Sequence, residues 1–415
     1  VGGECPYWGC IPSKMMIRAA NLLTDGRRIS GMAGSSVISP GWGPVAKRIR
    51  DEATDNWDDK VAADRYTDLG GTLYRGHGRI TGPGKVTVGD DVLRARRGIV
   101  IGTGTAPAIP PIPGLAGTPY WTNHEAVETE EVPQSLVILG GGPIGAELAQ
   151  VFARFGSSVT VIEVMPQLLP QDEPESGALV EKVFRAAGIA VSTGAAAESV
   201  RHDGSEFTVN LAGGRQFRGD RLLVATGRKT HLAGLGIGAI GLDEQAPFIT
   251  VDDRMQAAPG VWALGDVVGK GAFTHMSMYQ ARIILGELLG QPRHPAEYHA
   301  VPRVTFTDPE IGCVGLTEAQ AREHLGDRIR TAVSQIPSSA RGWIHKAGND
   351  GFIKLVADSE RGVLVGATSA GPTGGEVLSM LTLAVHAELP VRRLTEMIYA
   401  YPTFHGAVED ALGQL

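Results

Sequence analysis

Leu136-Val137-Ile138-Leu139-Gly140-Gly141-Gly142-Pro143-Ile144-Gly145 makes the strongest statement about the fold. Four apolar residues in a row are too few for a buried helix and suit a strand covered on both faces. Gly140, Gly142 and Gly145 follow as G-x-G-x-x-G. An amphipathic helix then runs to Phe155, and a second apolar strand, Ser158 to Ile162, ends at Glu163. A Gly-rich turn alone is weak evidence; between a strand and a helix, with an acid at the end of the next strand, it reads as a dinucleotide-binding βαβ unit. The glycines let backbone amides approach a pyrophosphate at the helix start. Glu163 is placed to accept the adenosine ribose hydroxyls. Its carboxylate repels a 2′-phosphate, and no Arg stands in Val164-Met165-Pro166, so NADH is expected over NADPH. An FAD-binding turn is the competing reading of these residues.

Around this unit the chain extends to 415 residues, too long for one core, so two or three domains are expected. Its 56 glycines and 20% charged residues suit an α/β protein with many tight turns and not a disordered chain. The net charge of -7, without a basic cluster, argues against nucleic acid as a partner. No apolar run is long enough to span a membrane and no signal peptide is visible, which points to a cytoplasmic protein.

Near the start stands Gly2-Gly3-Glu4-Cys5-Pro6-Tyr7-Trp8-Gly9-Cys10-Ile11-Pro12-Ser13-Lys14. It holds two cysteines in a chain whose one other is Cys313. A regular helix would separate positions 5 and 10 by about 7.5 Å of rise, and Pro6 and Gly9 speak against one. A compact loop followed by an apolar helical run, Met15 to Leu23, is expected. A structural disulfide is a poor reading of so large and cysteine-poor a chain. A zinc site lacks a second Cys or His pair at suitable spacing. A redox-active dithiol fits better than either.

Three further segments end in Gly turns. Ile99-Val100-Ile101 leads into Gly102-Thr103-Gly104 and a proline-rich exit. Leu222-Leu223-Val224 leads into Ala225-Thr226-Gly227. Val261-Trp262-Ala263-Leu264 leads into Gly265-Asp266, with a helix from about His275. The two Thr-Gly turns suggest duplicated dinucleotide-binding halves. From Val301 the composition shifts to an α+β segment, with strands at Val301–Phe306, Phe352–Ala357 and Gly362–Ala367 and helices at Gly375–Glu388 and Val391–Ile398. Cys313 reads as a packing residue there, and residues 44 to 69 as a mostly helical connection.

The cysteine stretch resembles the active-site signature of the class I pyridine nucleotide-disulfide oxidoreductases, Gly-Gly-Thr-Cys-x-Asn-x-Gly-Cys-x-Pro-Ser/Thr-Lys. Glu4 replaces the Thr and Tyr7 the Asn. The later motifs fall in the family's order along nearly the whole chain. The resemblance implies an α/β fold with two Rossmann-like, three-layer FAD- and NAD(P)-binding domains and a C-terminal α+β dimerisation domain. The expected boundaries are an FAD domain over 1–115 and 245–298, an NAD domain over 116–244 and an interface domain over 299–415. The family's ADP-binding βαβ unit, roughly 30 residues with its own Gly-rich turn, precedes the cysteines, so an upstream extension is expected.

The resemblance also implies roles. Cys5 and Cys10 form the redox disulfide, with Cys10 toward the flavin and Cys5 outward as the interchange thiol. Lys14 pairs with Glu147 beside flavin N5. Gly104 passes near the flavin, Gly227 marks the return from the NAD domain, and Asp266 binds the ribitol of FAD. The helix start at His275 and Met276 points at the flavin pyrimidine. By order, Gly140, Gly142, Gly145 and Glu163 take NAD. Pro143 stands where relatives often carry an aromatic over the nicotinamide pocket. The implied assembly is a homodimer whose acceptor site is shared between subunits.

The chain departs from the family at its end. Lipoamide dehydrogenases and glutathione reductases carry His-Pro-Thr or His-Pro-Ser, with a Glu orienting the His. Here Tyr401 stands at the His position and Gly406 at the Glu position, in Ala400-Tyr401-Pro402-Thr403-Phe404-His405-Gly406. A phenol titrates near pH 10, which makes it a weak base at neutral pH. His405, with Glu409 one turn on, is a candidate displaced base. Mercuric reductases also carry Tyr near this place but use a C-terminal Cys pair, and no Cys follows Cys313. The expectation is therefore an FAD-dependent NADH oxidoreductase passing electrons to a small acceptor: a metal ion, a quinone or an unusual disulfide. Dihydrolipoamide dehydrogenase is the runner-up, and a non-catalytic binding or scaffold protein without FAD is the third reading.

Overall fold

A computed structural model describes residues 1–291 and 293–415. The chain divides into two compact units, each assembled from three separate stretches of sequence.

The first unit comprises Val1–Tyr7, Thr54–Ala108 and Gly227–Tyr298. Its central sheet has the order Gln256–Ala258, Val261–Ala263, Ile99–Ile101, and the last two strands run parallel. The apolar residues of these strands pack with Ile283 and Ile284 of the helix Thr274–Leu288 and with Met255 and Val267. A meander of Gly78–Gly82, Lys85–Val88 and Asp91–Arg94 lies in the same unit. Its first strand starts at Gly78, just after Gly76, whose φ of +141° interrupts any extended run from further upstream. Residues 227–244 join this unit, since Arg228–Lys229 pairs antiparallel with Ala106–Pro107.

The second unit comprises Trp8–Ala53, Ile109–Thr226 and His299–Leu415. Its parallel sheet runs Arg221–Val224, Ser135–Leu139, Ser158–Ile162, Ala190–Ser192. Leu136, Val137 and Ile138 are fully buried, as a strand covered on both faces requires. A three-stranded antiparallel sheet (Ala197–His202, Phe207–Leu211, Gln216–Gly219) shares its core through Val137, Val200 and Phe207. The C-terminal part is a five-stranded antiparallel sheet in the order 302–305, 310–315, 363–371, 352–358, 329–335. Helices Gly374–His386 and His405–Leu412 share its core.

The helix after the cysteine loop begins at Cys10, five residues earlier than the apolar run at Met15 suggested, and ends at Arg27. Pro12 sits in its first turn, where a missing N–H costs nothing, so proline does not delay the start. The connection expected over 44–69 is broken into Gly43–Arg48, a π-turn at Ile49–Ala53 and Lys60–Asp68.

Candidate active site

The glycine turn from Gly140 to Gly145 is built by steric necessity. Gly140 has φ +108°, and a Cβ there would lie 2.3 Å from the carbonyl oxygen of Ala225. A Cβ on Gly145 would lie 2.0 Å from the carbonyl oxygen of Gly140, so the helix Pro143–Arg154 can approach the strand only with glycine at that position. Gly142 differs: nothing lies within 4 Å of its Cβ position. This open space stands at the helix N-terminus, where a pyrophosphate is stabilised. Glu163 is buried, and its Oε2 accepts the Gly141 N–H at 2.6 Å while Oε1 accepts the Met165 N–H at 2.7 Å. It thereby holds the turn in place, and each oxygen keeps a lone pair for a ribose hydroxyl. The geometry fits a dinucleotide.

The same helix organises a second group. Lys14 follows Cys10 by four residues, which places both on one face of their helix. Lys14 Nζ donates to Glu147 Oε2 at 2.7 Å, and Glu147 Oε1 accepts the Phe306 N–H at 2.9 Å. The ammonium also lies 4.7 Å from the centroid of the Phe306 ring. Further along the helix, Gln150 bonds both backbone groups of Asp308, and Arg154 bonds its carboxylate at 2.6 Å. Burial pulls the Arg154 guanidinium below its usual range. Three turns of one helix thus fix Lys14 and the loop Phe306–Asp308.

In the first unit, Cys5 lies in the single helical turn Glu4–Tyr7. Trp57 Nε1 donates to the carbonyl of Tyr7 at 3.2 Å, and burial followed by the nearby Asp59 raises the Tyr7 phenol. Asp266 is the second residue of the 3-10 turn Gly265–Val268, which opens on Gly265 (φ +78°). Its Oδ2 accepts from Thr105 Oγ1 at 2.9 Å, and Arg228 donates to the Thr105 hydroxyl at 2.8 Å and carbonyl at 2.6 Å. Gly104 (φ +66°) and Gly227 (φ +119°) have nothing within 4 Å of their Cβ positions. An oriented carboxylate beside glycine-lined space fits a polyol such as the ribitol of FAD. His275 and Met276 occupy the first turn of Thr274–Leu288. The Met276 side chain is buried and its N–H donates to Phe273 within the turn, while the His275 ring stacks on Phe273 at 5.1 Å. Met276 is thus a packing residue as well as part of the helix start. Thr105 and Arg228 carry no signal of their own in the sequence: each simply follows the glycine of a Thr-Gly turn.

Tyr401 is 85% exposed, and His405 is half-buried at the start of His405–Leu412. No ion pair joins His405 to Glu409 among the described residues. Glu409 instead lies near Tyr399, whose phenol is pushed up to about 12, mainly by burial and then by that carboxylate. Cys313 is buried 3.7 Å from the Thr368 hydroxyl, as a packing residue should be.

Known proteins resemble this chain over nearly its whole length. Residues 1–281 match the family described as pyridine nucleotide-disulphide oxidoreductase, and residues 301–412 match its dimerisation domain. A dihydrolipoyl dehydrogenase of Chlorobaculum tepidum is 31% identical over 99% of this chain and 89% of its own length. A mercuric reductase of Streptomyces lividans is 32% identical over 99% of this chain and 88% of its own length. Among solved structures, an HOCl-induced flavoprotein disulfide reductase of Escherichia coli has a TM-score of 0.86 at 26% identity, covering 100% of this chain and 92% of that one. The chain belongs to the pyridine nucleotide-disulphide oxidoreductases, enzymes that use FAD and NAD(P)H and a disulfide redox centre.

Proposed function

We propose that this enzyme is an NADH-dependent flavoprotein that works through Cys5 and Cys10 on a small acceptor other than lipoamide: a metal ion, a quinone or an unusual disulfide. The observation that carries the choice of acceptor is Tyr401, 85% exposed, at the place where the family's thiol-exchanging members keep a histidine. Thiol exchange requires a thiolate and a group that accepts its proton. A phenol, with an ordinary pKa of about 10, serves that purpose weakly at neutral pH. It can donate a hydrogen bond to a bound acceptor instead.

Bound FAD supplies the two-electron link between nicotinamide and disulfide. The chain's own residues do the rest. Gly140, Gly142 and Gly145 let the nucleotide's pyrophosphate reach the helix start, and Glu163 orients the ribose. Asp266, aimed by Thr105, would hold the ribitol of FAD, with Gly104 and Gly227 leaving open space. Glu147 fixes the Lys14 cation, which stabilises negative charge that develops near it. Cys10 shares its helix face with Lys14 and serves as the inner thiol; Cys5 is the interchange thiol.

The dimerisation segment supports a homodimer with the acceptor site shared between subunits. Ile398 is 96% exposed and Trp343 72%, apolar surface that a second copy can cover. No described helix is long and apolar enough to cross a membrane, and a cysteine-poor chain with a redox pair suits the cytoplasm.

The decisive experiment is an anaerobic titration of the full-length protein with NADH, followed by alkylation and peptide mass spectrometry. One NADH per chain should convert Cys5 and Cys10 together to alkylated thiols. Turnover is then compared for dihydrolipoamide, Hg(II), a benzoquinone and small disulfides. Robust NAD reduction by dihydrolipoamide overturns the acceptor assignment in favour of a lipoamide dehydrogenase with His405 as base. Absence of bound flavin favours a non-catalytic role. Nucleotide choice is read separately: replacing NADH by NADPH should weaken binding at least tenfold, and Glu163→Ala should narrow that gap.

A further inference from the structure

The bend that leads into Cys10 is gripped by a distant helix start. Trp8 lies at a variable position of the cysteine signature, two residues before Cys10. Its indole stacks on the His124 ring with centroids 4.3 Å apart and planes 8° from parallel. The carbonyl of the same residue accepts Asn123 Nδ2–H at 2.8 Å, and Asn123 is buried. Side chain and backbone of Trp8 are therefore both held by consecutive residues of the helix Asn123–Glu128.

That helix start is itself rigidly mounted. Thr122 and Glu125 close a capping box, with the Thr122 N–H donating to Glu125 Oε2 at 2.6 Å. Burial acts to raise the Glu125 carboxyl, but hydrogen bonding to Thr122 outweighs it and holds the group below its usual range. One residue earlier, the Trp121 N–H donates to the Leu222 carbonyl at 2.7 Å and its own carbonyl accepts the Val224 N–H at 2.8 Å. Leu222 and Val224 lie in the strand that pairs with Ser135–Leu139 of the nucleotide sheet, in register Leu222 to Val137 and Val224 to Leu139. An unbroken series of contacts thus runs from the nucleotide sheet to the residue before Gly9 and Cys10.

We propose that Asn123 and His124 are positioning residues for the redox centre: they clamp Trp8 and so fix the point at which Cys10 enters its helix, tying that thiol to the nucleotide-binding sheet. The proposal rests on the reading of Cys5 and Cys10 as a redox pair. A disulfide closes according to the effective concentration of one thiol at the other, which a fixed loop raises and a loose loop lowers. Gly9, with φ -132° and ψ -109°, is the N-cap of that helix and has no side chain to supply a cap bond. The clamp on Trp8 supplies the order that the glycine does not.

The test is a glutathione redox titration of the full-length, FAD-loaded protein, read by alkylation and peptide mass spectrometry. Breaking the S–S bond takes two electrons and two protons from two glutathione thiols, which leave as one glutathione disulfide, and yields two protein thiols. His124→Ala and Asn123→Ala should each shift this equilibrium about tenfold toward the dithiol. His124→Phe, which keeps a flat ring for the stack, should stay within about twofold of the wild type. NADH affinity, measured alongside, reports whether the nucleotide turn is intact. If His124→Ala does not fold, Trp8→Leu against Trp8→Tyr makes the same comparison. Wild-type equilibria in the Ala variants, or a His124→Phe variant as shifted as His124→Ala, overturn the clamp while leaving the redox pair standing. A wild-type protein that forms no Cys5–Cys10 disulfide at any glutathione ratio overturns the redox-pair reading, and the clamp with it.

Discussion

Lys14 Nζ lies 2.7 Å from Glu147 Oε2, and this ion pair joins the helix that carries Cys10 to the helix that starts at the nucleotide turn. The Glu147 side chain is 7% exposed and that of Lys14 36%, so the carboxylate has more to lose. Lys14→Met leaves Glu147 with the Phe306 N–H as its remaining described partner. We expect a loss of about 1–3 kcal/mol in urea unfolding. Lys14→Arg should recover most of that stability, while the redox behaviour of bound FAD shifts in both variants. Unchanged stability in Lys14→Met would show the pair to be solvent-screened.

Two glycines of one turn should respond oppositely to alanine. Gly142→Ala adds a Cβ where nothing lies within 4 Å, at an ordinary φ of -73°. It should leave the melting temperature unchanged and weaken NADH binding, because the methyl fills the space over the helix start. Gly145→Ala puts a Cβ 2.0 Å from the Gly140 carbonyl oxygen. It should lower stability by about 1–3 kcal/mol through backbone displacement. Thermal melts and NADH titrations of the two variants separate these effects.

Lys354 is buried with a carboxylate network: Nζ lies 3.0 Å from Glu173, 2.7 Å from Glu175 and 2.9 Å from Glu318. Lys354→Met leaves Glu173, also 3% exposed, without its cation and with only the Glu318 N–H as described partner, at a cost of about 3–5 kcal/mol by chemical denaturation. The pH dependence has two signs. Hydrogen bonds from Lys354 and then Arg322 hold the Glu318 carboxyl below its usual range. Its contribution is complete above the unfolded value of about 4.3 and is lost as pH falls through the lower folded value. Burial opposes the charge on Lys354, but hydrogen bonds to Glu175, Glu318 and Glu173 outweigh it and raise the ammonium. That contribution is complete below the unfolded value of about 10.4 and is lost as pH rises through the raised folded value. Stability measured against pH should therefore fall off less steeply on the acid side in Lys354→Met than in the wild type.

Burial, followed by the charge of Asp172, pushes the Cys313 thiol up to about 12. At pH 8 its thiolate fraction is then about one part in ten thousand. Iodoacetamide should leave Cys313 unmodified in the native protein and modify it after denaturation. Cys313→Ala should retain NADH-driven turnover, whereas Cys5→Ser and Cys10→Ser should each abolish disulfide-dependent turnover. Rapid native labelling of Cys313 would refute its packing role.

Part of the candidate site's local geometry was legible in the chain because it depends on short spacings. Gly140, Gly142 and Gly145 form one turn, and at Gly140 and Gly145 local sterics leave no room for a side chain. Cys10 and Lys14 share a helix face because four residues make about one turn. The burial of Leu136, Val137 and Ile138 followed from an unbroken apolar run. The helix start was less legible: the apolar run marked it only from Met15, whereas the helix begins at Cys10, and Pro12 in its first turn is tolerated there.

Other features are meetings between elements far apart in the chain, and these arise only when the chain folds. Phe306 turns its ring to Lys14 and its N–H to Glu147, 159 residues before it. Asn123 reaches Trp8 across 115 residues, with His124 stacked beside it. Neither contact leaves a period or a motif, because each depends on how two helices and a sheet pack and not on the repeat of any one of them. The turns, the cysteine pair and the missing C-terminal histidine are written in local residue order, where spacing alone carries the chemistry. The side chains around Trp8, Lys14 and the Gly140–Gly145 turn are chosen by the packing of the second unit, because that packing brings together residues no local spacing relates.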